Sequence, residues 1–444
     1  MYRAAAYINK TYKLRELPSP AQLLRSLNNL NITMKFVHFA IALVCAAGAL
    51  AADKQQAKRR MRPEASLAIA SESNLHFGGN FFKTVSDAND GNMVCSPLSA
   101  QMTLALARIG ARGRTAEQMS AALNLKPSRE PANLMGFKTL LSTLKQQNGN
   151  GTTIKLVNWM YLKKDTSVRP RYLKAARKGF AAQPKLVDFT DPTTVDKINS
   201  DVSNFTRGKI QNLVPQDSLN EDTEALLVNA LYFKGRWRKA FEKIDTYPFW
   251  TRPGHQVVTE FLNTKGEFRL HRSAQLQAVQ IPYENPALSL VLVLPSQHSS
   301  LPDLQSSLDS AGTALMLKEL ARATPTADTV IYLPKFKLET SLELNEPLKQ
   351  MGMTDMFIED VADFSGMIDT ARRMWVSQVA QKTFIEVSEQ GTEAASATYL
   401  QIQSRMFVER PEFIANRPFL FFLVLQATDT SPVVLFSGRY VTPP

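Results

Sequence analysis

The chain has 444 residues, of which 44% are hydrophobic and 21% are charged, and its formal net charge is +12. This composition is that of an ordinary globular protein with enough apolar material for a large core, and no fixed-period repeat or heptad run indicates a solenoid or a coiled coil. The mild positive charge favours acidic or polyanionic surfaces. We find no nucleic-acid-binding module and expect no nucleic-acid partner.

The first clear pattern lies near the N-terminus. Residues 34–51 begin with Met-Lys, continue as an apolar stretch and end in Ala-Leu-Ala, which is typical of a signal peptide and its cleavage site. The stretch is too short to span a membrane, and a basic tail follows at residues 52–64. We therefore predict a secreted, extracellular protein that is not inserted in a membrane. Residues 1–33 would then be an over-extended start, with a targeting role as the alternative.

Removal of the signal peptide would leave Cys95 as the single cysteine. It lies in the apolar run Met93-Val94-Cys95, so a buried small hydrophobe is favoured over a reactive thiol. The remaining histidines are scattered, and neither a G-x-S-x-G elbow nor a nucleotide-binding glycine loop is present. We predict no metal, no cofactor and no enzymatic activity.

No Gly-, Ser- or Pro-rich linker divides the rest of the chain, which predicts one domain at residues 65–444. Helical periodicity dominates residues 65–144. Strand-like runs follow at residues 154–162, 225–233, 276–283, 288–294, 330–336 and 419–425, and helical patterns lie at residues 171–180, 194–210 and 341–351. Strands and helices mix without regular alternation, which indicates an α+β fold.

A segment of small, mostly uncharged residues follows the strand-like run at residues 383–387. It contains Glu389, Gly391, Thr392, Glu393, Ala394, Ala395, Ser396, Ala397 and Thr398. Composition alone favours a flexible link. However, no proline occurs from Gly391 to Arg405, and strand alternation places only uncharged side chains on the face that begins with Thr392. Such a segment can become a half-buried strand.

The sequence FIEVSEQGTEAASAT at residues 384–398 resembles the hinge of the reactive-centre loop in the serpin family. Other segments resemble serpin motifs in order and spacing: NMVCSPLS (92–99), LVNALYFKGRW (227–237), LPKFKLE (333–339), ADFSGM (362–367), RPFLFFL (417–423) and VLFSGRYVTPP (434–444). The resemblance covers about residues 65–441. It implies a serpin fold of three β-sheets and about nine helices, with an exposed reactive-centre loop at about residues 389–413.

The resemblance also implies a function. A serpin of the inhibitory type is cleaved by a serine protease, and its cut loop then inserts into the main sheet and traps the acyl-enzyme. By family spacing the reactive bond joins Arg405 to Met406, and arginine at that position suits the acidic pocket of a trypsin-like protease. We thus expect a monomer that forms a covalent complex with such a protease in an extracellular cascade. The alternative is a non-inhibitory serpin that acts as a carrier or chaperone.

The serpin resemblance assigns further residues to the shutter and breach of the main sheet. These residues are Ser96, Ser99, Asn229, Trp237 and Gln381. Serpins usually carry a histidine at the position of Gln381. Since an amide both donates and accepts hydrogen bonds, we expect Gln381 to bridge to Ser96, Ser99 or Asn229.

Two weaker signals concern the surface. Asn150 and Asn204 begin glycosylation sequons. A basic cluster comprises Lys163, Lys164, Arg169, Arg171, Lys174, Arg177 and Lys178. Its spacing favours a solvated helix face over a polyanion site, and a glycosaminoglycan is the partner that the second interpretation would imply.

Overall fold

The computed structural model describes residues 63–149, 151–297, 299–369, 374–392, 410–426 and 431–444. The chain divides after Arg62 into two units, and the second, Pro63–Pro444, carries the fold described below. The predictions of an over-extended start at residues 1–33 and of a signal peptide at residues 34–51 lie outside the described residues, as does nearly all of the basic tail.

Nine α-helices lie within the described ranges. They are α1 (Pro63–Asp87), α2 (Pro97–Arg108), α3 (Gly113–Ala122), α4 (Glu130–Gln146), α5 (Pro170–Phe180), α6 (Thr193–Phe205), α7 (Leu301–Ser307), α8 (Ser310–Arg322) and α9 (Asn345–Gln350). Proline opens α2 and α5, where its missing N–H costs no hydrogen bond. None of these helices is both long and apolar enough to cross a bilayer.

Fifteen strands accompany the helices in the same part of the chain. They are β1 (Met93–Cys95), β2 (Thr152–Lys163), β3 (Lys185–Val187), β4 (Ala225–Arg236), β5 (Glu242–Arg252), β6 (His255–Arg272), β7 (Leu276–Pro282), β8 (Leu288–Pro295), β9 (Pro325–Pro334), β10 (Phe336–Glu343), β11 (Gln378–Val387), β12 (Gly391–Thr392), β13 (Glu412–Ile414), β14 (Phe419–Leu425) and β15 (Val433–Tyr440).

The strands form two hydrogen-bonded sets. One set runs β10-β11-β4-β2-β3, with β12 added to β4, and is called the main sheet below. The other runs β1-β15-β14-β8-β7-β6-β9-β13, with β5 paired to β6. The long strand β6 pairs with β5 and β9 along most of its length and with β7 near its end, so it joins two of the three expected sheets into one continuous set.

The two central strands of the main sheet, β4 and β11, are buried on both faces. Odd-numbered residues of β4, such as Leu227 and Leu231, belong to the large core under α1 and α2. Even-numbered residues, such as Val228 and Tyr232, belong to a second core beneath α6. Since successive side chains of a strand point to opposite faces, β4 reads as a nearly continuous apolar run. This three-layer arrangement confirms the α+β prediction.

Candidate functional site: the central seam of the main sheet

The junction of β11 with β4 is the feature around which the candidate site is built, and we call it the central seam. The two strands are parallel neighbours from the pair Gln378–Leu226 to the pair Phe384–Tyr232. β4 pairs with β2, and β11 pairs with β10, both in antiparallel register. The central seam is therefore a parallel ladder with antiparallel pairs on either side.

On the C-terminal side of the pair Phe384–Tyr232 the two strands of the seam diverge, and the start of the small-residue segment lies between them. We call this the upper end of the seam. Ser388 forms a bridge with Gly391, while Gly391 and Thr392 pair with Arg236 and Gly235 of β4 in antiparallel register. The chain thus turns back after β11 and begins a new strand, β12, next to β4.

Gly391 is required by this geometry. Its φ of +147° is disfavoured for residues with a side chain. A Cβ atom at this position would also collide with the carbonyl oxygen of Gly235 on β4. Because the backbones of β12 and β4 approach so closely here, only glycine fits.

The turn that precedes β12 is held by backbone and indole groups. The Trp237 N–H donates to the Gln390 carbonyl at 2.9 Å, and the Phe241 N–H donates to the Glu389 carbonyl at 2.7 Å. The indole Nε1 of Trp237 donates to the Ser388 carbonyl at 2.9 Å. The Trp237 ring also stacks on Tyr283, with 4.4 Å between ring centroids. Trp237 therefore fixes the point at which the segment enters the sheet.

An ion pair ties the same turn to the end of the neighbouring strands. Lys335, between β9 and β10, donates from Nζ to Glu389 Oε1 at 2.9 Å. Burial raises the pKa of Glu389, but the hydrogen bond from Lys335 and the positive charges of Lys335 and Lys243 outweigh it, so the pKa lies below its ordinary value. Sequence reasoning did not identify Lys335, although it lies inside the LPKFKLE motif.

The shutter residues meet halfway along the central seam. Gln381 Oε1 accepts from the Ser96 N–H at 2.9 Å, and Gln381 Nε2 donates to the Ser96 carbonyl at 2.9 Å and to Asn229 Oδ1 at 2.5 Å. Gln381 and Asn229 are also register partners across the seam. All three residues are buried. The Gln381 amide thus connects both strands of the seam to the N-terminus of α2.

Ser99 joins this group indirectly. Its N–H donates to Ser96 Oγ at 3.1 Å, which caps α2, and its hydroxyl lies 3.3 Å from the side-chain amide of Asn158 on β2. Ser96 Oγ in turn donates to the Leu435 carbonyl. The structure therefore brings Ser96, Asn229 and Gln381 into direct contact and places Ser99 one hydrogen bond away. Sequence reasoning missed Asn158, which lies directly opposite Asn229 in the antiparallel ladder of β2 and β4.

Several predicted site residues lie outside the described residues. They are the reactive bond Arg405–Met406, the hinge residues 393–398, and the sequon residue Asn150. Asn204 is exposed at the end of α6, whereas the Thr206 hydroxyl of its sequon is buried and donates to the Val202 carbonyl at 2.8 Å. Glycosylation at either asparagine stays a prediction. Among the described residues, no group of three or more His, Cys, Asp or Glu side chains could hold a metal ion.

The basic cluster is partly neutralised. Lys163, Lys164 and Arg169 form ion pairs with Glu224, Asp188 and Asp369. Arg177 donates to the Gln183 amide oxygen. The exposed side chains left on α5 are Arg171, Lys174 and Lys178. A polyanion such as a glycosaminoglycan would thus meet fewer uncompensated charges than the sequence suggests, and this partner stays a prediction.

Comparison with known proteins gives consistent results. A family model described as Serpin (serine protease inhibitor) matches residues 72–443. Human Serpin B11 is 33% identical over 84% of this chain and 99% of its own length, and the leukocyte elastase inhibitor of Xenopus tropicalis is 33% identical over 83% and 98%. The crystal structure of Serpin48 from the insect Tenebrio molitor has a TM-score of 0.72 and 30% identity, covering 85% of this chain and 98% of that one.

The same comparisons contradict the predicted localisation. Relatives such as Serpin B11, Serpin B10 and leukocyte elastase inhibitor are intracellular serpins of clade B. The prediction of a secreted, extracellular protein is therefore wrong. It rested on an apolar stretch followed by small residues, a pattern that hydrophobicity and side-chain size produce without any export function.

Proposed function

This chain belongs to the serpin family of serine protease inhibitors, and we propose that it traps an Arg-specific, trypsin-like serine protease by inserting its cleaved loop into the central seam. The observation that carries the proposal is the short strand β12, which already occupies the upper end of the seam in antiparallel register with β4. An incoming strand therefore has a defined entry point and a defined direction.

The register of β12 against β4 predicts the position in the sheet of each residue that follows Thr392. Gly391 pairs with Arg236 and Thr392 with Gly235, so a continued ladder would bring Thr398 opposite Asn229 and Ile402 opposite Ala225. Ala225 is the first residue of β4. The segment 391–402 would thus fill the whole length of β4, about 40 Å at about 3.4 Å per residue. Arg405 would then lie just beyond the opposite end of the sheet, and an attached protease would move with it.

The same register sorts the two faces of the segment. Opposite residues of an antiparallel pair share a face. Thr392, Ala394, Ser396, Thr398, Leu400 and Ile402 would accordingly face the large core with the odd-numbered residues of β4, while the alternate residues would lie beneath α6. The uncharged face of the segment would therefore pack against the large core. On the other face, Glu393 would lie opposite Lys234, which suits its charge.

The energetics favour insertion only after cleavage. Opening the seam breaks the parallel ladder of seven register pairs between β11 and β4, including the hydrogen bond from Gln381 to Asn229. A strand of about a dozen residues would replace it with two ladders, a net gain of at most about 15 hydrogen bonds at about 1 kcal/mol each. Ordering the segment costs about 1–2 kcal/mol per residue. These terms nearly cancel, so the burial of side chains such as Leu400 and Ile402 decides whether insertion is favourable. An intact loop is attached to the chain at both ends and cannot extend along the whole of β4, so full insertion requires cleavage.

Arg405 is the residue we propose as bait for the protease. It lies three residues beyond the end of the predicted inserted segment, and a guanidinium there suits an S1 pocket with an acidic floor. Arg410 is the nearest arginine on the C-terminal side, but Pro411 follows it and makes a poor substrate bond.

The test is incubation with trypsin followed by denaturing electrophoresis. We expect the wild-type protein to form a complex that survives SDS and the Arg405→Ala variant to form none. Arg410→Ala is the matched control and should form the complex as the wild type does. A complex formed by Arg405→Ala at wild-type yield would contradict the assignment of the bait.

A second variant separates the bait from the insertion step. Thr392→Arg leaves the reactive bond intact but places a charge where the first inserted side chain must enter the large core. We expect this variant to be cleaved after Arg405 without a stable complex. Unchanged complex formation would show that insertion does not begin at β12. Clean cleavage of the wild-type protein without a complex would instead favour a non-inhibitory serpin.

A further inference from the structure

A large groove follows the outer edge of β2 and extends to Lys234 and Arg236 at the C-terminal end of β4. Its volume is about 1170 Å³, and its walls include the C-terminal ends of α4, α5 and α6. β3 pairs with β2 only at Tyr161–Lys163. Along residues 152–160, the outer edge of β2 thus has no neighbouring strand among the residues that the structure describes.

The groove is strongly cationic. Its lining includes Lys145, Lys155, Lys185, Arg207, Lys234 and Arg236, and no Asp or Glu of the described chain lines it. Lys185 and Arg236 form ion pairs with acidic residues outside the lining. Lys145, Lys155 and Arg207 form no ion pair with any residue that the structure describes. The groove therefore retains uncompensated positive charge, which attracts an anion.

Aromatic rings provide an apolar surface beside these charges. Phe205 at the end of α6 is 39% exposed, and its ring contacts Trp159 of β2 edge-on, with 5.7 Å between centroids. The Lys155 ammonium lies 5.4 Å from the centre of the Phe205 ring, and the Lys185 ammonium lies 4.3 Å from that of Trp159. A ligand that contacts this surface would meet apolar rings and ammonium groups together.

The strand edge adds backbone donors. The Ile154 N–H points outward from β2 and donates to Asn148 Oδ1 at 2.8 Å. Because backbone groups of alternate residues point to the same side of a strand, the N–H groups of Leu156 and Asn158 also point to the outer edge. No strand of the described chain accepts from them there. These donors lie in the same groove as the cations and the rings.

We propose that this groove binds an amphipathic organic anion, a carboxylate with a long apolar tail. The carboxylate lies beside Lys155, where the ammonium and the outward N–H groups of β2 compensate its charge. The tail packs on Phe205 and Trp159. Apolar walls with a few convergent polar groups are the usual composition of a small-molecule site. The groove reaches Gln390 at the start of the reactive-centre loop, but Lys155, Trp159 and Phe205, which contact the ligand, lie outside that loop. The proposal does not rest on protease inhibition.

The experiment is isothermal titration calorimetry of the full-length protein with dodecanoate, at concentrations below those at which dodecanoate forms micelles. We expect saturable binding of one molecule per chain. Acetate has the head group without the tail, and dodecyltrimethylammonium has the tail with the opposite charge. Each should bind at least tenfold more weakly. Equal binding of the cationic probe, or no saturable binding of dodecanoate, would overturn the proposal.

Variants place the ligand in this groove. Lys155→Glu should weaken dodecanoate binding at least tenfold, whereas Lys138→Glu, which changes an exposed lysine of α4 outside the groove, should leave it unchanged. Phe205→Ala should also weaken binding without altering the charge, which covers the case in which Lys155→Glu fails to fold. Equal affinities for Lys155→Glu, Phe205→Ala and Lys138→Glu would place the ligand elsewhere and refute the site.

Discussion

Replacement of Gln381 by leucine tests the shutter directly. Gln381→Leu keeps the approximate volume of the side chain but removes all three of its hydrogen bonds. The Ser96 carbonyl keeps a partner in the Ala100 N–H, whereas the Ser96 N–H and Asn229 Oδ1 lose the one partner that each has among the described residues, in a fully buried site. Leaving a buried polar group unsatisfied costs about 1–3 kcal/mol. After allowance for the added apolar burial, we expect a loss of about 3 kcal/mol in the free energy of unfolding.

The assay is differential scanning calorimetry of the uncleaved protein at one scan rate, since serpin unfolding need not be reversible. With an unfolding entropy of about 2.1 cal/mol/K per residue, a loss of 3 kcal/mol lowers the melting temperature of a domain of about 380 residues by about 4 °C.

Gln378→Leu is the matched control for this measurement. It makes the same substitution on the same strand, at a glutamine whose buried Oε1 has no hydrogen-bond partner among the residues that the structure describes. We expect this variant to stay within about 0.5 kcal/mol of the wild type. If Gln381→Leu lowers the melting temperature no more than Gln378→Leu does, the hydrogen bonds of Gln381 do not stabilise the closed seam.

Three further predictions concern the turn before β12 and the buried thiol. Gly391→Ala should destabilise the uncleaved protein by about 1–3 kcal/mol, because of its positive φ and the collision with Gly235. Faster hydrogen exchange at the turn would check this, and unchanged exchange would contradict it. The lowered pKa of Glu389 means that the stability gained from its ion pair with Lys335 is fully present above the ordinary pKa of a glutamate and is lost as the pH falls through the lowered pKa. Glu389→Gln should thus be less stable than the wild type at pH 7, and this difference should shrink as the pH is lowered toward 3; a difference that does not shrink would refute the role of the charge. Burial raises the pKa of the Cys95 thiol, so in a variant without the other cysteine, Ellman's reagent should label the protein only after unfolding; rapid labelling of the native protein would contradict this.

The sequence predicts the single elements well where apolar periodicity is strong. The run at residues 419–425 coincides with β14, and the helical pattern at residues 171–180 corresponds to α5, which begins one residue earlier. The helix predicted at residues 341–351 is shorter in the structure. Residues 341–343 continue β10 because they pair with β11, and α9 begins only at Asn345. Tertiary pairing overrides local periodicity at that point.

The sequence predicts the residues of the candidate site better than it predicts the contacts between them. The motifs identify Gln381, Asn229 and Ser96, but residue type alone leaves open which of them the amide contacts, because hydrogen bonds across the seam depend on the register of β11 against β4. The neutralisation of Lys163 by Glu224 is another example, since the two residues are far apart in the chain. A charge pattern in one segment carries no information about acidic residues that folding brings to it.

The second core beneath α6 has a consequence for the speed of any rearrangement in the main sheet. Its members come from both sides of the seam, with Tyr232 and Val228 on β4 and Phe384 and Ala380 on β11, all packed in one cluster with Val202 of the helix. Separation of the two strands must therefore shear a single apolar layer that spans them. Helix α6 covers the seam where the strands would separate. The tightness of its packing therefore limits the rate of strand separation, independently of the hinge sequence and of Arg405.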